Sequence, residues 1–144
     1  MLYGGFIVKD FLLFIWQLPQ HLIGLFIIYV TKAQHHYFIN NDFKKVFPYW
    51  TSARFNGGVS LGKYIIMQDG INKDTILHER GHSLQSLRIG WLYLILVGIP
   101  SAIFNIWDRL FHKKWTLIES YNWYYNRYPE KWADRLGGVS RDIM

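Results

Sequence analysis

The chain has 144 residues, a formal net charge of +6 and many aromatic residues, with seven Trp, ten Tyr and ten Phe. This length predicts a single domain, residues 1–144, that can bury a real core. The sequence has no Cys, which excludes disulfides and thiolate metal sites, and its Lys and Arg form no basic stripe, so we expect no nucleic-acid partner.

Residues 11–30 form the first apolar stretch, which contains no Asp, Glu, Lys or Arg and is long enough to cross a bilayer. Pro19 removes a backbone donor near the middle, beside the polar Gln17, Gln20 and His21, so we predict two shorter helices that meet at a polar elbow. Two interpretations stay open. The helices belong to the core of a soluble protein, or they face a membrane, where Trp, Tyr and basic residues collect.

Residues 54–67 carry the signals of β-structure. Asn56-Gly57-Gly58 favours a turn, and Val59 to Met67 first alternates between apolar and other residues and then becomes apolar. We therefore predict a short antiparallel sheet or hairpin at 54–67, ahead of the helix that follows. The preceding residues, 31–50, are polar and mixed, and no strand is predicted there.

Residues 74–89 are predicted to form a helix that is capped by Asp74 or Thr75 and stops at Gly90. This helix contains His78-Glu79-x-x-His82. Residues four apart share a helix face, so His78 and His82 can offer two imidazole nitrogens to one zinc ion. Glu79 lies beside that ion, within reach of a water molecule bound to it.

Residues 90–107 form a second apolar stretch, which we predict to be broken at 98–101, Gly-Ile-Pro-Ser. A single membrane crossing here would separate His78 and His82 from any zinc ligand further along the chain. We therefore expect a hairpin, an interfacial segment or core helices. A metal site inside the bilayer is the remaining option, and the cost of charge in lipid disfavours it.

Residues 129–136 are predicted to form a helix that starts near Pro129 and ends at Gly137-Gly138. Glu130 and Asp134 share one face of it, so one carboxylate can be the third zinc ligand while the other accepts a hydrogen bond from a ligating imidazole. Two alternatives stay open: Asp134 or Glu119 is the ligand, or Glu130 and Asp134 form helix-surface pairs with neighbouring basic residues.

His-Glu-x-x-His followed by Glu-x-x-x-Asp resembles the gluzincin branch of the zincin metallopeptidases. This resemblance implies a small, mostly helical α+β domain that hydrolyses peptide bonds with Zn²⁺. It implies that the zinc ligands are His78, His82 and Glu130, that Glu79 is the general base, and that Asp134 supports His78. It also implies that the strand before the motif helix pairs with an extended substrate.

Two further resemblances bear on the interpretation. Site-2-type intramembrane proteases also carry His-Glu-x-x-His, but their Asp-Gly partner motif is missing here. The phrases at 16–20, 60–64 and 98–101 resemble a group of small uncharacterised bacterial proteins with such a motif, and this implies no substrate.

We therefore expect a zinc-dependent metallopeptidase that acts on a peptide or protein substrate and is associated with a membrane, or is otherwise cytoplasmic. Oxyanion donors are usually Tyr, His or Arg residues, and the candidates are His112, Tyr124, Tyr125, Arg127 and Tyr128. The alternative is a non-catalytic membrane-associated protein in which the motif is structural or vestigial. An intact Glu79 favours the enzyme, because structural zinc needs no base.

Overall fold

The computed structural model describes residues 3–39 and 46–141, and it confirms the predicted α+β, mostly helical fold. The described elements follow in chain order: α1 Tyr3–Trp16, α2 Leu18–Thr31, β1 Gln34–Ile39, β2 Val46–Thr51, β3 Gly58–Leu61, β4 Tyr64–Met67, α3 Lys73–Ile89, α4 Ile99–Phe111, α5 Leu117–Tyr125 and α6 Glu130–Gly137. A 3₁₀ turn, Gly90–Leu92, and a π-helical segment, Leu94–Gly98, join α3 to α4.

The sheet has the order β1-β2-β4-β3 and is mixed, since β2 pairs with β4 in parallel while the two other pairs are antiparallel. The predicted hairpin exists as β3–β4. The apolar alternation over 59–67 is not one strand, because the chain turns at Gly62, whose φ is +67°. The strands β1 and β2 were not predicted. Most side chains of β1 are exposed, and β2 contains Pro48, so neither segment shows a clear strand pattern.

The core lies between the sheet and α3. All four side chains of β4 are buried, and Ile65 and Met67 pack with Phe47 from β2 and with Ile76 and Leu77 from α3. Each such apolar side chain contributes roughly 1.5–3 kcal/mol when fully buried. Because Ile76 and Leu77 are packed in the core, the rotation of α3 about its axis is set, and with it the direction in which His78 points.

The helix α3 begins one residue earlier than predicted, and its cap is Asn72 rather than Asp74 or Thr75. Asn72 has an extended backbone, and its side-chain Oδ1 accepts a hydrogen bond of 2.9 Å from the N–H of Thr75. Asp74 and Thr75 already belong to the first turn, where their own backbone is helical. The helix ends at Gly90, as predicted.

The helices α3 and α6 touch through their backbones at two glycines. A Cβ atom at Gly81 would lie 1.9 Å from the carbonyl oxygen of Ala133, and one at Gly137 would lie 2.0 Å from that of Leu77. Only glycine fits such an approach. The contact brings one face of α6 directly against the His-bearing face of α3.

The first apolar stretch divides at Gln17 into α1 and α2, which form an angle of 87°. The polar elbow turns inward: Gln17, Gln20 and His21 are buried, although they lie in the most apolar part of the sequence. Gln17 Oε1 accepts a 2.8 Å hydrogen bond from the hydroxyl of Ser86, and His21 Nε2 accepts one of 3.1 Å from the N–H of Lys63. These bonds attach the two helices to α3 and to the turn between β3 and β4.

The second apolar stretch changes its helical form at the predicted break, since a π-helical segment ends at Gly98 and α4 begins at Ile99. Pro100 lies in the first turn of α4, where a residue without an N–H is tolerated. Helical structure nevertheless continues from Leu94 to Phe111. By length and composition this helix could cross a membrane, and so could α1 and α2 if they were one bent span.

The helix α5 then returns along α4. The hydroxyls of Ser101 and Tyr124 lie 3.1 Å apart, and the rings of Phe104 and Trp123 pack edge to face. The expected hairpin within residues 90–107 does not form, since one helical run continues to Phe111. The chain instead reverses between α4 and α5, and this reversal brings α6 back to α3.

Candidate metal centre

The ligand atoms of His78, His82 and Glu130 converge on one point. Both Nε2 atoms lie 3.0 Å from Oε2 of Glu130, and the three side chains could each offer one atom to a single metal ion. All three residues are buried, and Glu130 is completely so. The structure thus brings together the three residues that the sequence analysis named as ligands.

The second carboxylate oxygen of Glu130 provides a test of whether a metal fits. Oε1 is buried and has no hydrogen-bond partner in the part of the chain that the structure describes. An unsatisfied charged oxygen in such a position is costly, and a cation would remove that cost. Two imidazole nitrogens and one carboxylate are also a donor set that catalytic zinc sites use. The residues therefore fit a zinc ion.

Each imidazole is held by a hydrogen bond at its other nitrogen. His78 Nδ1 lies 2.6 Å from Oδ1 of Asp134, as the resemblance implied. His82 Nδ1 lies 2.7 Å from Oε1 of Gln85, whose amide donates to the carbonyl oxygen of Pro129 at 2.9 Å. Both bonds direct the Nε2 atoms towards Glu130. Gln85 was not predicted, although its position three residues after His82 on α3 was an available signal.

Asp134 is itself held by Arg141, which the sequence analysis did not identify. The guanidinium donates two hydrogen bonds to the carboxylate, of 2.5 Å from Nε and 2.9 Å from Nη2. It also lies 3.5 Å above the ring of Tyr125 and 4.7 Å above that of Tyr121. The hydrogen bonds from Arg141 to Asp134 and between Asp134 and His78 link the segment after α6 to the candidate metal centre.

His78, His82, Glu130 and Asp134 form a hydrogen-bonded ionic cluster. Burial alone would lower the pKa of His78, but hydrogen bonds to Asp134 and Glu130 outweigh it and raise this pKa from 6.5 to about 9. Burial alone would raise the pKa of Glu130, and hydrogen bonds from His78 and His82 instead hold it well below its ordinary value. A proton on His78 occupies the position that a metal would take, so metal and proton compete.

Glu79 is held beside the centre by β3. The hydroxyl of Ser60 lies 2.8 Å from Oε2 of Glu79 and 2.6 Å from its main-chain oxygen. A Cβ atom at Gly58 would lie 2.6 Å from Oε1 of Glu79, so the strand leaves just enough room for the carboxylate. Ser60 belongs to the strand region of the prediction, but nothing in the sequence marked it as a partner of Glu79.

A cleft of about 530 Å³ opens over these residues. One wall is the edge strand β3, and the floor carries His78, Glu79, His82 and Glu130. The opposite wall comes from the helical run after α3 and from α5. Tyr93 belongs to this wall and donates a 2.9 Å hydrogen bond from its hydroxyl to the carbonyl oxygen of Ser60.

Two of the five predicted oxyanion candidates, Tyr124 and Tyr125, line the cleft. Burial, and then the charge of Glu130, raises the pKa of the Tyr124 hydroxyl, so this group stays a neutral donor. The other three face elsewhere: His112 bonds to Asp108 and stacks on Trp115, Arg127 lies over Trp123, and Tyr128 donates to the carbonyl oxygen of Leu96.

The alternative ligand assignments are not supported by the geometry. Glu119 is exposed and forms a capping box with Thr116 at the start of α5. Asp134 bonds to the far nitrogen of His78 and to Arg141, and Glu130 faces the two imidazoles. Among the described contacts, neither Glu130 nor Asp134 forms an ion pair with a neighbouring basic residue of the helix surface, Arg127, Lys131 or Arg135.

Comparison of the chain with models of protein families, with curated proteins and with solved structures finds no match.

Proposed function

We propose that the chain is a zinc-dependent metallopeptidase whose zinc ligands are His78, His82 and Glu130. The observation that carries this proposal is the meeting of two Nε2 atoms and one carboxylate in a buried position, with the free Oε1 of Glu130 among them. The gluzincin-like motifs support it, since the same residues occupy the positions that the motifs assign to ligands.

The chemistry divides between the metal and the chain. A bound zinc ion supplies a Lewis acid that polarises a peptide carbonyl and makes a water molecule more acidic. One carboxylate oxygen of Glu79 would accept the proton that the water loses in the attack and would return it to the leaving nitrogen. Ser60 orients the Glu79 carboxylate, and the Tyr124 hydroxyl can donate to the oxygen on which negative charge develops.

The presence of Glu79 favours an enzyme over a structural metal site. A structural site binds zinc with a closed set of ligands and has no need of a base. Here a carboxylate that is not among the three candidate ligands lines the same cleft and is positioned by its own hydrogen bond. An extended substrate would lie across the cleft beside Glu79 and would pair with main-chain groups of β3 other than the carbonyl of Ser60, which Tyr93 occupies.

The first prediction is that Glu79→Gln retains zinc and loses hydrolysis. The amide preserves the size of the side chain but cannot accept the proton, so turnover should fall by roughly 10²–10⁴-fold. Zinc content is measured by elemental analysis, and hydrolysis by mass spectrometry of the new termini formed from a mixed peptide library.

Glu119→Gln is the matched control, because it makes the same change on an exposed residue and Gln still suits a capping box. It should hydrolyse like the wild type. His78→Ala should lose both zinc and activity. A wild-type chain that binds zinc but cleaves none of the library, with Glu79→Gln behaving identically, would support the non-catalytic alternative instead.

A further inference from the structure

The solvent-exposed side chains of α1, α2 and the helical run 91–111 are mostly aliphatic or aromatic. Together, the exposed sides of these helices are here called the apolar face. Between residues 11 and 30, every exposed side chain is aliphatic or aromatic, and the polar Gln17, Gln20 and His21 are all buried. A helix on the surface of a soluble protein has the opposite arrangement, with its apolar stripe towards the core. The polarity of residues 11–30 is therefore inverted, whereas Lys9 and Asp10 in the first half of α1 are exposed.

The helix α4 is also two-sided. Ser101, Asn105 and Arg109 lie one turn apart and line the cleft, whereas large apolar side chains such as Ile103 and Phe111 are more than half exposed on the outside. Of the 18 residues from Leu94 to Phe111, only 6% are buried. Apolar surface of this extent is unfavourable in water and indicates an apolar partner.

Charge and composition indicate that this partner is lipid. Charges at the ends of the apolar segments are mainly basic. Lys9 and the acidic Asp10 precede residue 11, and the other charges are Lys32 after α2, Arg88 before the run 91–111, and Lys113 and Lys114 after it. Such basic residues favour anionic headgroups. Protein interfaces intersperse polar groups with apolar ones, but the exposed positions of residues 11–30 offer a single hydroxyl, that of Tyr29.

We propose that the apolar face inserts into one leaflet of an anionic lipid bilayer, with α4 lying along the boundary between headgroups and acyl chains. A crossing is disfavoured, because α5 returns beside α4 with Glu119, Asn122 and Asn126, which hydrocarbon would not accommodate. An amphipathic helix with Trp and basic residues near its ends suits the interface. This inference does not depend on the metallopeptidase proposal.

The test is flotation of the metal-free, full-length chain with vesicles of phosphatidylcholine, with or without phosphatidylglycerol. The wild type should float with the vesicles, and more completely when phosphatidylglycerol is present. Ile103→Glu combined with Phe111→Glu should lower the partition coefficient at least roughly tenfold, because both changes put charge where acyl chains would lie.

Tyr37→Glu is the control, since Tyr37 is equally exposed, at 62%, but lies on β1 outside the apolar face. It should float like the wild type. Helical content by circular dichroism verifies that each variant is folded.

A second measurement locates the contact. Brominated acyl chains should quench the fluorescence of the wild type, and Trp107→Phe should reduce the quenched fraction more than Trp50→Phe, which changes a strand residue. The proposal is wrong if the wild type fails to float with either vesicle, or if the double variant floats like the wild type. A lipid-free dimer that the double variant disrupts, without flotation, would make the apolar face a contact between two copies.

Discussion

At the scale of single residues, the centre depends on how its imidazoles are oriented. His82 is held by Gln85 from its own helix, while His78 is held by Asp134 from α6. The orientation of His78 depends on more than one segment, because the carboxylate of Asp134 is itself held by a residue beyond α6. Arg141 does this with two hydrogen bonds and by stacking over Tyr125.

We therefore predict that Arg141→Ala weakens zinc binding by about 10–100-fold, the usual effect of losing an outer partner of a ligand. The expected cause is that Asp134 no longer holds the ring of His78 in place. Zinc affinity is measured by competition with a chromogenic chelator.

Arg135→Ala is the appropriate control, since it removes an exposed cation from α6 without touching Asp134. If both variants bound zinc equally well, Arg141 would have no positioning role. Arg141→Lys should recover part of the affinity, because an ammonium group can make one of the two bonds but not both.

The candidate ligands could be predicted from the sequence because each pair lies on one helix. His78 with His82, and Glu130 with Asp134, are four apart, and this spacing alone puts each pair on one face. The supporting residues could not be found in this way. Ser60 and Arg141 reach the site from a strand and from the segment after α6, and no local pattern marks a contact made by the folding of distant segments.

At the scale of elements, the contact between α3 and α6 sets the geometry of the centre. Gly81 and Gly137 let the two backbones touch, and this places Glu130 opposite both imidazoles. A larger residue at either position would push the helices apart and carry the carboxylate away from His78 and His82.

We predict that Gly81→Ala destabilises the fold by about 1–3 kcal/mol or more through overpacking, and that it weakens zinc binding at least roughly tenfold. The added Cβ would fall 1.9 Å from the carbonyl oxygen of Ala133, so the backbone must move. Chemical denaturation and chelator competition measure the two effects.

Gly98→Ala is the matched control, because its Cβ would meet only ordinary contacts, the nearest at 3.8 Å. It should leave zinc affinity unchanged. A Gly81→Ala variant with wild-type zinc affinity would show that the close contact does not position Glu130.

The elements that the sequence predicted well are those whose signal is local. Pro19 predicts the elbow at Gln17, and the apolar spacing together with Gly90 predicts the motif helix and its end. The strands β1 and β2 were missed because most side chains of β1 are exposed, which hides any alternation, and because Pro48 argues against a strand in β2. The change of helical form near Pro100 follows from the Gly-Ile-Pro-Ser sequence, whereas nothing in the sequence predicted that the segment before it would be π-helical.

At the scale of the whole molecule, the buried ionic cluster makes stability depend on pH and on metal. The pKa of His78 is raised from 6.5 to about 9 in the folded chain, so its contribution is complete below pH 6.5 and is lost as the pH rises towards 9. The pKa of Glu130 is lowered from 4.5, so its contribution is present above pH 4.5 and is lost in more acidic solution.

We therefore predict that the metal-free chain is most stable between about pH 4.5 and 6.5 and melts at a lower temperature at pH 9. Zinc should reverse the alkaline loss, since it replaces the proton on His78. Thermal melting with a chelator and with zinc, at several pH values, measures both effects. In His78→Gln the alkaline loss should disappear, and a wild-type profile in that variant would contradict the assignment.

Under the proposed function, the hydrogen bond from Tyr93 to Ser60 limits the main-chain contacts that β3 can make with a bound polypeptide. Leu61 pairs with Tyr64 around a two-residue turn, so the main-chain groups of Gly58 and Ser60 point away from β4, and the carbonyl of Ser60 is already engaged. A peptide that pairs with the edge of β3 therefore has only a few main-chain amide and carbonyl groups available for hydrogen bonds. We therefore expect the proposed peptidase to cleave a short oligopeptide about as well as a long one, with selectivity set by side chains close to the scissile bond.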